Sequence, residues 1–176
     1  MPLVRVAKVS LVGAVALYLL VVVFNNLTDY GSNYAFVARV LSMDTTFEGN
    51  TARWRAMTSP VFHHATYAVI MLWEASAAAL CAFGAWRLWR HRGRSAAEFN
   101  HAKGLAIAGL TWSLLQWFVA FLTVGGEWFL MWQSRIWNGQ DAAFRMFGCI
   151  GIILLFVAMD DRDAPATGTG RTASDA

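Results

Sequence analysis

Four long apolar runs, separated by shorter polar segments, form the main pattern of the chain. Residues 9–28 and 104–126 contain no Asp, Glu, Lys or Arg, residues 56–86 contain one such residue (Glu74), and residues 142–159 contain one (Arg145). A helix needs about 20 mainly apolar residues to cross about 30 Å of hydrocarbon, and it satisfies its own backbone hydrogen bonds there. The pattern therefore predicts four transmembrane helices, near residues 8–26, 59–86, 104–126 and 142–160.

Composition agrees with this fold class. Of the 176 residues, 57% are hydrophobic and 14% are charged, against about 25% charged residues in a typical soluble domain. The first run is longer than the 7–15 apolar residues that are usual in a signal peptide, so we expect an uncleaved anchor. We predict an all-α integral membrane domain over residues 1–160, followed by a disordered cytoplasmic tail over residues 161–176 that is polar and lacks aromatic residues.

The segments between the spans are expected to be structured. In the first, Phe36, Val37, Val40 and Leu41 share one helical face, which predicts a short interfacial helix that starts near Ser32 or Asn33 and ends at residues 42–44. In the second, Gly125 and Gly126 are expected to kink or end the third span. From Trp128 the pattern is again helical, and Trp128, Trp132 and Trp137 are expected to form an interfacial aromatic belt.

Basic residues predict the orientation of the spans. Nine of the fourteen Lys and Arg residues fall on one side: Arg5, Lys8, Arg87, Arg90, Arg92, Arg94, Lys103, Arg162 and Arg171. Because cytoplasmic loops carry the excess of positive charge, we expect both termini to be cytoplasmic. This cluster also accounts for the basic balance of the chain, and without a soluble domain to display it we expect no nucleic-acid partner.

Several long stretches are similar to a known family. They include "FNNLTDYGSNYAFV", "AMTSPVFHHATYAVIMLWEA" and "TVGGEWFLMWQSRIWNGQDAAFR". The chain resembles the bacterial family of predicted small integral membrane proteins, domain of unknown function 2165, over about residues 5–160. The resemblance implies a four-helix protein of the bacterial inner membrane, and it implies no activity.

Candidate functional side chains fall into two groups. The first is expected near the external ends of the spans and comprises Asn25, Asn26, Asp29, His63, His64, Glu127 and Arg145. Two histidines and two carboxylates are ligand types that suit a divalent metal. However, adjacent helical residues project about 100° apart, so the sequence favours an ion-pair and hydrogen-bond cluster in which Glu127 approaches Arg135 or Arg145. A bis-histidine haem is favoured less, because His91 and His101 are predicted on the other side of the membrane.

The second group is an intramembrane polar layer. Glu74 falls near the middle of the second span, and Gln116 and Tyr18 are expected at a similar depth. Intramembrane ionisable residues usually face the bundle and find partners. We therefore expect Glu74 to point inward and to hydrogen-bond a group of this layer, either as a link between helices or as part of a proton relay or quinone contact.

Three functions remain open at this level. Small size and the lack of a recognisable catalytic or nucleotide-binding motif favour a non-catalytic accessory or assembly subunit of a membrane complex, with lipid and other membrane subunits as partners and with no cofactor predicted. The alternatives are a quinone- or haem-binding redox protein, suggested by His63, His64 and Glu74, and a small proton-coupled transporter, suggested by Glu74.

Overall fold

The computed structural model describes residues 3–163, and this part of the chain is helical and contains no strand. Six α-helices follow one another, with the fifth continuing directly into a π-helical segment: α1 (Leu3–Thr28), α2 (Tyr30–Ser42), α3 (Pro60–His91), α4 (Ala96–Ala102), α5 (Gly104–Leu115), the π segment (Gln116–Trp128) and α6 (Gln140–Ala158). Four stretches are long and apolar enough to span a membrane, namely Leu3–Thr28, Pro60–His91, Ala96–Trp128 and Gln140–Ala158. The predicted all-α, four-span fold is confirmed.

Both ends of the described chain lie at the same end of the bundle. Arg5 donates hydrogen bonds from Nη1 to the carbonyls of Arg92 (3.3 Å) and Arg94 (2.6 Å), and its Nη2 lies 3.3 Å from Asp163 Oδ1. We call this the terminal end. The opposite end, which carries α2 and the loops over residues 43–59 and 129–139, is the loop end.

A mainly buried group of charged side chains packs together at the terminal end, and no pattern in the sequence predicts it. This terminal cluster consists of Arg5, Lys8, Lys103, Asp161 and Asp163. Lys8 Nζ and Lys103 Nζ each lie 2.7 Å from Asp161 Oδ2, and the Asp161 side chain is only 5% exposed. The first residues of the predicted tail therefore pack against the bundle, whereas residues 164–176 of that tail lie outside the described residues.

Small residues allow α3 and α5 to pack closely. A Cβ atom on Gly109 would meet the backbone nitrogen of Cys81 at 2.7 Å, and one on Gly84 would meet the Cα of Ala106 at 2.6 Å. Small residues at helix contacts in membranes let the backbones approach. The core around this contact is apolar and includes Val12, Leu19, Ala77, Ala78 and Leu110.

The third span differs from the prediction at its loop end. Gly125 and Gly126 do not kink or end it, because the backbone changes earlier, at Gln116, to π geometry and continues to Trp128. The amide of Phe129 accordingly donates to the carbonyl five residues before it, that of Val124. A Cβ on Gly126 would lie 2.5 Å from Nε2 of Gln140 at the start of α6, so a larger residue there would require the end of that flexible side chain to move.

The two loops that the sequence analysis expected to be structured are joined to each other. The predicted interfacial helix is confirmed as α2, although it starts at Tyr30 rather than at Ser32 or Asn33. The predicted helix from Trp128 is wrong: Leu130 adopts a left-handed conformation (φ 53°), and only the 3-10 turn Met131–Gln133 follows. Gln133 Oε1 accepts hydrogen bonds from the backbone nitrogen of Phe47 (3.2 Å) and from Asn50 Nδ2 (3.1 Å), which links the second loop to the first.

Candidate functional site: a polar chamber around Glu74

Glu74 of α3 is buried and lies at one end of a group of hydrogen-bonded polar residues centred on Asn26. Only 3% of Glu74 is exposed, and its Oε2 accepts a hydrogen bond from Asn26 Nδ2 at 2.6 Å. Asn26 Oδ1 in turn accepts from Asn33 Nδ2 at 2.7 Å, and the Asn26 backbone carbonyl accepts from the Tyr67 hydroxyl at 3.3 Å. Three helices therefore contribute: Asn26 from the last turn of α1, Asn33 from the first turns of α2, and Tyr67 and Glu74 from α3.

These four side chains line a cavity of about 170 Å³. The rest of its wall is apolar and is formed by Val22, Phe36, Ile70, Trp117 and Phe121. We call this cavity, with its lining, the Glu74 chamber. For comparison, an engineered apolar cavity of about 150 Å³ holds one benzene molecule, so the chamber has room for a ring-sized or smaller group.

The prediction that the Glu74 side chain points inward is correct, and the prediction of its hydrogen-bond partners is only partly correct. Glu74 points into the bundle, but its hydrogen bond is to Asn26, which the sequence analysis assigned to the external group. Gln116 approaches Glu74, yet both its Nε2 and Oε1 have no hydrogen-bond partner within residues 3–163. The third member of the predicted layer, Tyr18, is 38% exposed.

Glu74 lies beside Asn26 because α1 and α3 end at different levels along the bundle. The Asn26–Glu74 bond puts Asn26, two residues from the end of α1, level with the fifteenth residue of α3. At 1.5 Å per residue, α3 thus extends about 18 Å beyond the end of α1. Helix α2 packs beside this extension. Counting residues along each predicted span separately does not reveal that α1 and α3 end at different levels.

Unsatisfied polar atoms occur on the part of the third span that contributes Trp117 to the chamber wall. Ser113 Oγ, Trp117 Nε1 and both polar atoms of Gln116 are buried and lack a hydrogen-bond partner in the part of the chain that the structure describes. Most buried polar groups in proteins are hydrogen-bonded. Three such residues within five positions therefore mark a place where the protein alone does not complete the hydrogen bonding.

The two adjacent histidines face different surroundings. His63 is buried, and its Nε2 lies 2.7 Å from the carbonyl oxygen of Met57. His64 is exposed; its Nδ1 lies 2.7 Å from the Tyr30 hydroxyl, and its ring stacks on Tyr34 with centroids 4.2 Å apart. The prediction that at least one of the two faces the bundle near the first loop is correct. No group of three or more His, Cys, Asp or Glu side chains is positioned to hold a metal among the residues described.

The remaining predicted site residues are dispersed. Asn25, Asp29, His64, Glu127 and Arg145 are all exposed, and Asn26 and His63 are the two buried residues of that group. The expected approach of Glu127 to Arg135 or Arg145 is wrong, since within residues 3–163 Glu127 makes no ion pair at 4 Å or less. The π segment carries Glu127 to the outside of the bundle.

Two chamber residues, Asn33 and Tyr67, were missed by the sequence analysis. A signal for Tyr67 exists: it follows His63 by four positions and precedes Glu74 by seven, so the three share one face of α3. Asn33 has no comparable signal, because its position depends on the turn between α1 and α2 at Asp29.

Taken together, the helical fold and the four helices that are long and apolar enough to cross a membrane define an integral membrane protein of the multi-pass, all-α class. The family model of the predicted small integral membrane proteins, DUF2165, matches residues 4–160, and the chain belongs to this family. Neither a curated protein nor a solved structure matches the chain.

Proposed function

We propose that this integral membrane protein is a non-catalytic binding subunit of a membrane complex, and that the Glu74 chamber holds a small hydrogen-bonding group. The observation that carries the proposal is the incomplete hydrogen bonding around Glu74. One side chain of the described residues, Asn26, donates to the carboxylate, while polar atoms of Gln116 and Trp117 nearby have no partner. A bound group with both donors and acceptors would satisfy these atoms.

The chamber is connected to polar groups at the loop end. The Tyr67 ring packs edge-on against that of Tyr30 at 4.8 Å between centroids, and the Tyr30 hydroxyl reaches His64, which is exposed. Entry from this end is therefore part of the proposal, and the ligand would pass groups that can hydrogen-bond it on the way in.

Transport through the bundle receives less support. Between the chamber and the terminal cluster the core of the described chain is closely packed and apolar, with Val12, Ala77, Ala78, Cys81 and Ala106 all completely buried. A proton or polar solute would have to cross this layer without a polar side chain to receive it. A one-sided chamber fits a binding subunit better than a proton-coupled transporter.

A bis-histidine haem also receives little support from the geometry. His63 and His64 point in different directions and each already has a polar partner. His91 lies at the terminal end, where its Nδ1 is 2.9 Å from the carbonyl of Arg87.

Mass spectrometry of small molecules retained after gentle purification tests the proposal. We expect a species that accompanies the unmodified protein and is lost from Glu74→Leu. The matched control is Glu127→Gln, which alters an exposed carboxylate outside the chamber and should retain that species. An identical set of molecules with the unmodified protein and with folded Glu74→Leu would contradict the proposal.

We propose in addition that the terminal end is cytoplasmic and that the membrane is the bacterial inner membrane. The excess of basic residues at this end supports the orientation. In a variant in which Cys81 and Cys149 are replaced by alanine, single cysteines are introduced as Arg92→Cys, Asp44→Cys or Trp137→Cys. An impermeant thiol reagent should label intact cells at positions 44 and 137 and should not label position 92.

A further inference from the structure

A second, apolar cavity lies on the outer surface of the loop-end half and shares only Ile70 with the lining of the Glu74 chamber. It has a volume of about 360 Å³ and runs between α2, α3 and the π segment, with Val40, Val69, Trp73 and Val119 among its lining residues. Thr66 is the one side chain of its lining with a hydroxyl. We call it the outer groove.

The groove continues to the loop-end limits of α3 and of the third span. An adjoining cavity of about 530 Å³ shares Leu41, Thr66, Val124 and Phe129 with the groove. Met57 and Trp128 line its far side. Trp128 is the last residue of the third span, and Met57 precedes the start of α3 by three residues. A mainly apolar path therefore runs along the outside of the loop-end half as far as Met57 and Trp128.

An arginine without a counter-ion stands at this mouth. The guanidinium of Arg55 lies over the rings of Trp128 and Trp54, 4.8 and 5.4 Å from their centroids, and Nη1 donates to the Trp128 carbonyl at 3.3 Å. Its Nε is buried without a hydrogen-bond partner, and no carboxylate of residues 3–163 lies within 4 Å of it. Guanidinium groups bind phosphate through paired N–H donors.

The depth of the groove fits one acyl chain. Along α3 its lining runs from Ala65 to Trp73, a rise of about 12 Å at 1.5 Å per residue. One leaflet contributes about half of the 30 Å hydrocarbon core. A chain that enters at the mouth thus reaches the end of the groove within a single leaflet.

We propose that this surface binds one phospholipid with an anionic headgroup, with an acyl chain in the groove and the phosphate at Arg55. The apolar lining selects the chain, and the unpaired guanidinium selects the negative headgroup. The two cavities share the side chain of Ile70, but the polar groups that each proposal needs are different, so either proposal can fail without the other.

Native mass spectrometry of the detergent-purified protein with equal amounts of phosphatidylglycerol and phosphatidylcholine of the same acyl chains tests it. We expect one phosphatidylglycerol to be retained per chain in preference to phosphatidylcholine. Arg55→Gln should lower that preference about tenfold, which corresponds to about 1.4 kcal/mol. The matched control, Arg53→Gln, makes the same change of charge two residues away, where Arg53 contacts Thr46, and should keep the preference.

The groove is tested separately with Val69→Trp, which fills it and should reduce retention of both lipids. Leu72→Trp on the same helix is the control, because Leu72 is 69% exposed and does not line the groove. Equal lipid preference in Arg55→Gln and Arg53→Gln would overturn the proposal. So would a dimer that Val69→Trp dissociates without any change in lipid retention, because the groove would then be occupied by a second copy. If Val69→Trp does not fold, the Arg55→Gln comparison decides.

Discussion

The terminal cluster and the Glu74 chamber are both largely buried and polar, but they differ in how completely their polar groups are paired. In the cluster, Asp161 receives two ammonium groups, and Lys8 Nζ and Lys103 Nζ also donate to the carbonyl of Met159. In the chamber, Glu74 receives one amide, and the amide of Gln116 is left without a partner in the described chain. In the first arrangement the Asp161 carboxylate and both ammonium groups are paired, and Arg5 Nε is the one buried side-chain polar atom of the cluster without a hydrogen bond within residues 3–163, although it lies 3.8 Å from Asp161 Oδ1. In the second arrangement, the polar atoms of Gln116 and Trp117 have neither a hydrogen bond nor an ion pair in the described chain.

This difference separates a structural role from a binding role. Buried charges are tolerated only when paired, and the pairs of the terminal cluster join α1, the α4–α5 junction and the segment after α6. Such a cluster fixes the ends of helices. A partly satisfied group beside a cavity contributes less to stability and leaves hydrogen-bonding capacity for a ligand.

The largest effect is expected for Asp161→Asn. It removes the carboxylate from Lys8 and Lys103 and leaves two buried ammonium groups uncompensated, a change that typically costs about 3–5 kcal/mol. The loss should appear as a lower unfolding midpoint in mild detergent titrated with a denaturing one. Asp163→Asn is the control: its side chain is 62% exposed, and it should cost less than about 1 kcal/mol. Equal losses would refute the distinct role of Asp161.

Acid should weaken the same cluster by a smaller and reversible amount. Burial on its own would raise the pKa of the Asp161 carboxyl, but hydrogen bonds from Lys103 and Lys8 outweigh it and hold that pKa below its ordinary value of 3.8. The contribution to stability is therefore complete above the ordinary pKa and is lost as the pH falls through the lower folded value. Melting temperatures measured downward from pH 5 should fall more steeply for the unmodified protein than for Asp161→Asn.

The sequence is sufficient to predict the fold, but it predicts only part of the Glu74 chamber and of the terminal cluster. Length and apolarity define the spans because hydrocarbon thickness sets the length of a helix. Glu74 stands out as a single carboxylate in a long apolar run. Its partner Asn26 could not be predicted, because their levels match only through the extension of α3 beyond α1.

The terminal cluster was missed for a related reason. Lys8 and Asp161 are 153 positions apart, and in the sequence both resemble solvated charges that flank membrane spans. Their burial depends on how the segment after α6 folds back across the bundle, which is a tertiary feature without a local pattern.

In the chamber, Glu74→Leu should cost about 1–3 kcal/mol, because Asn26 Nδ2 would lose its acceptor while remaining buried. Glu74→Gln keeps an acceptor oxygen and should stay within about 1 kcal/mol of the unmodified protein, the usual value of one interhelical hydrogen bond. The same detergent titration measures both. A loss with Glu74→Gln as large as with Leu would mean that the charge itself holds the helices together, as in the terminal cluster.

The smallest effect, with the opposite sign, is expected for Gln116→Met. Gln116 is completely buried and approaches Glu74, but neither end of its amide has hydrogen-bond geometry with a group in residues 3–163, so the protein compensates the desolvation of these atoms only weakly. Methionine has a similar length and no amide, and its flexible thioether adapts to irregular space. The variant should therefore be as stable as the unmodified protein or more stable by up to about 1 kcal/mol. Ligand retention should fall at the same time, since Gln116 would no longer offer a donor or an acceptor. A marked loss of stability in ligand-free protein would instead show that Gln116 already has a partner inside the bundle, and the contrast between the two regions would then disappear.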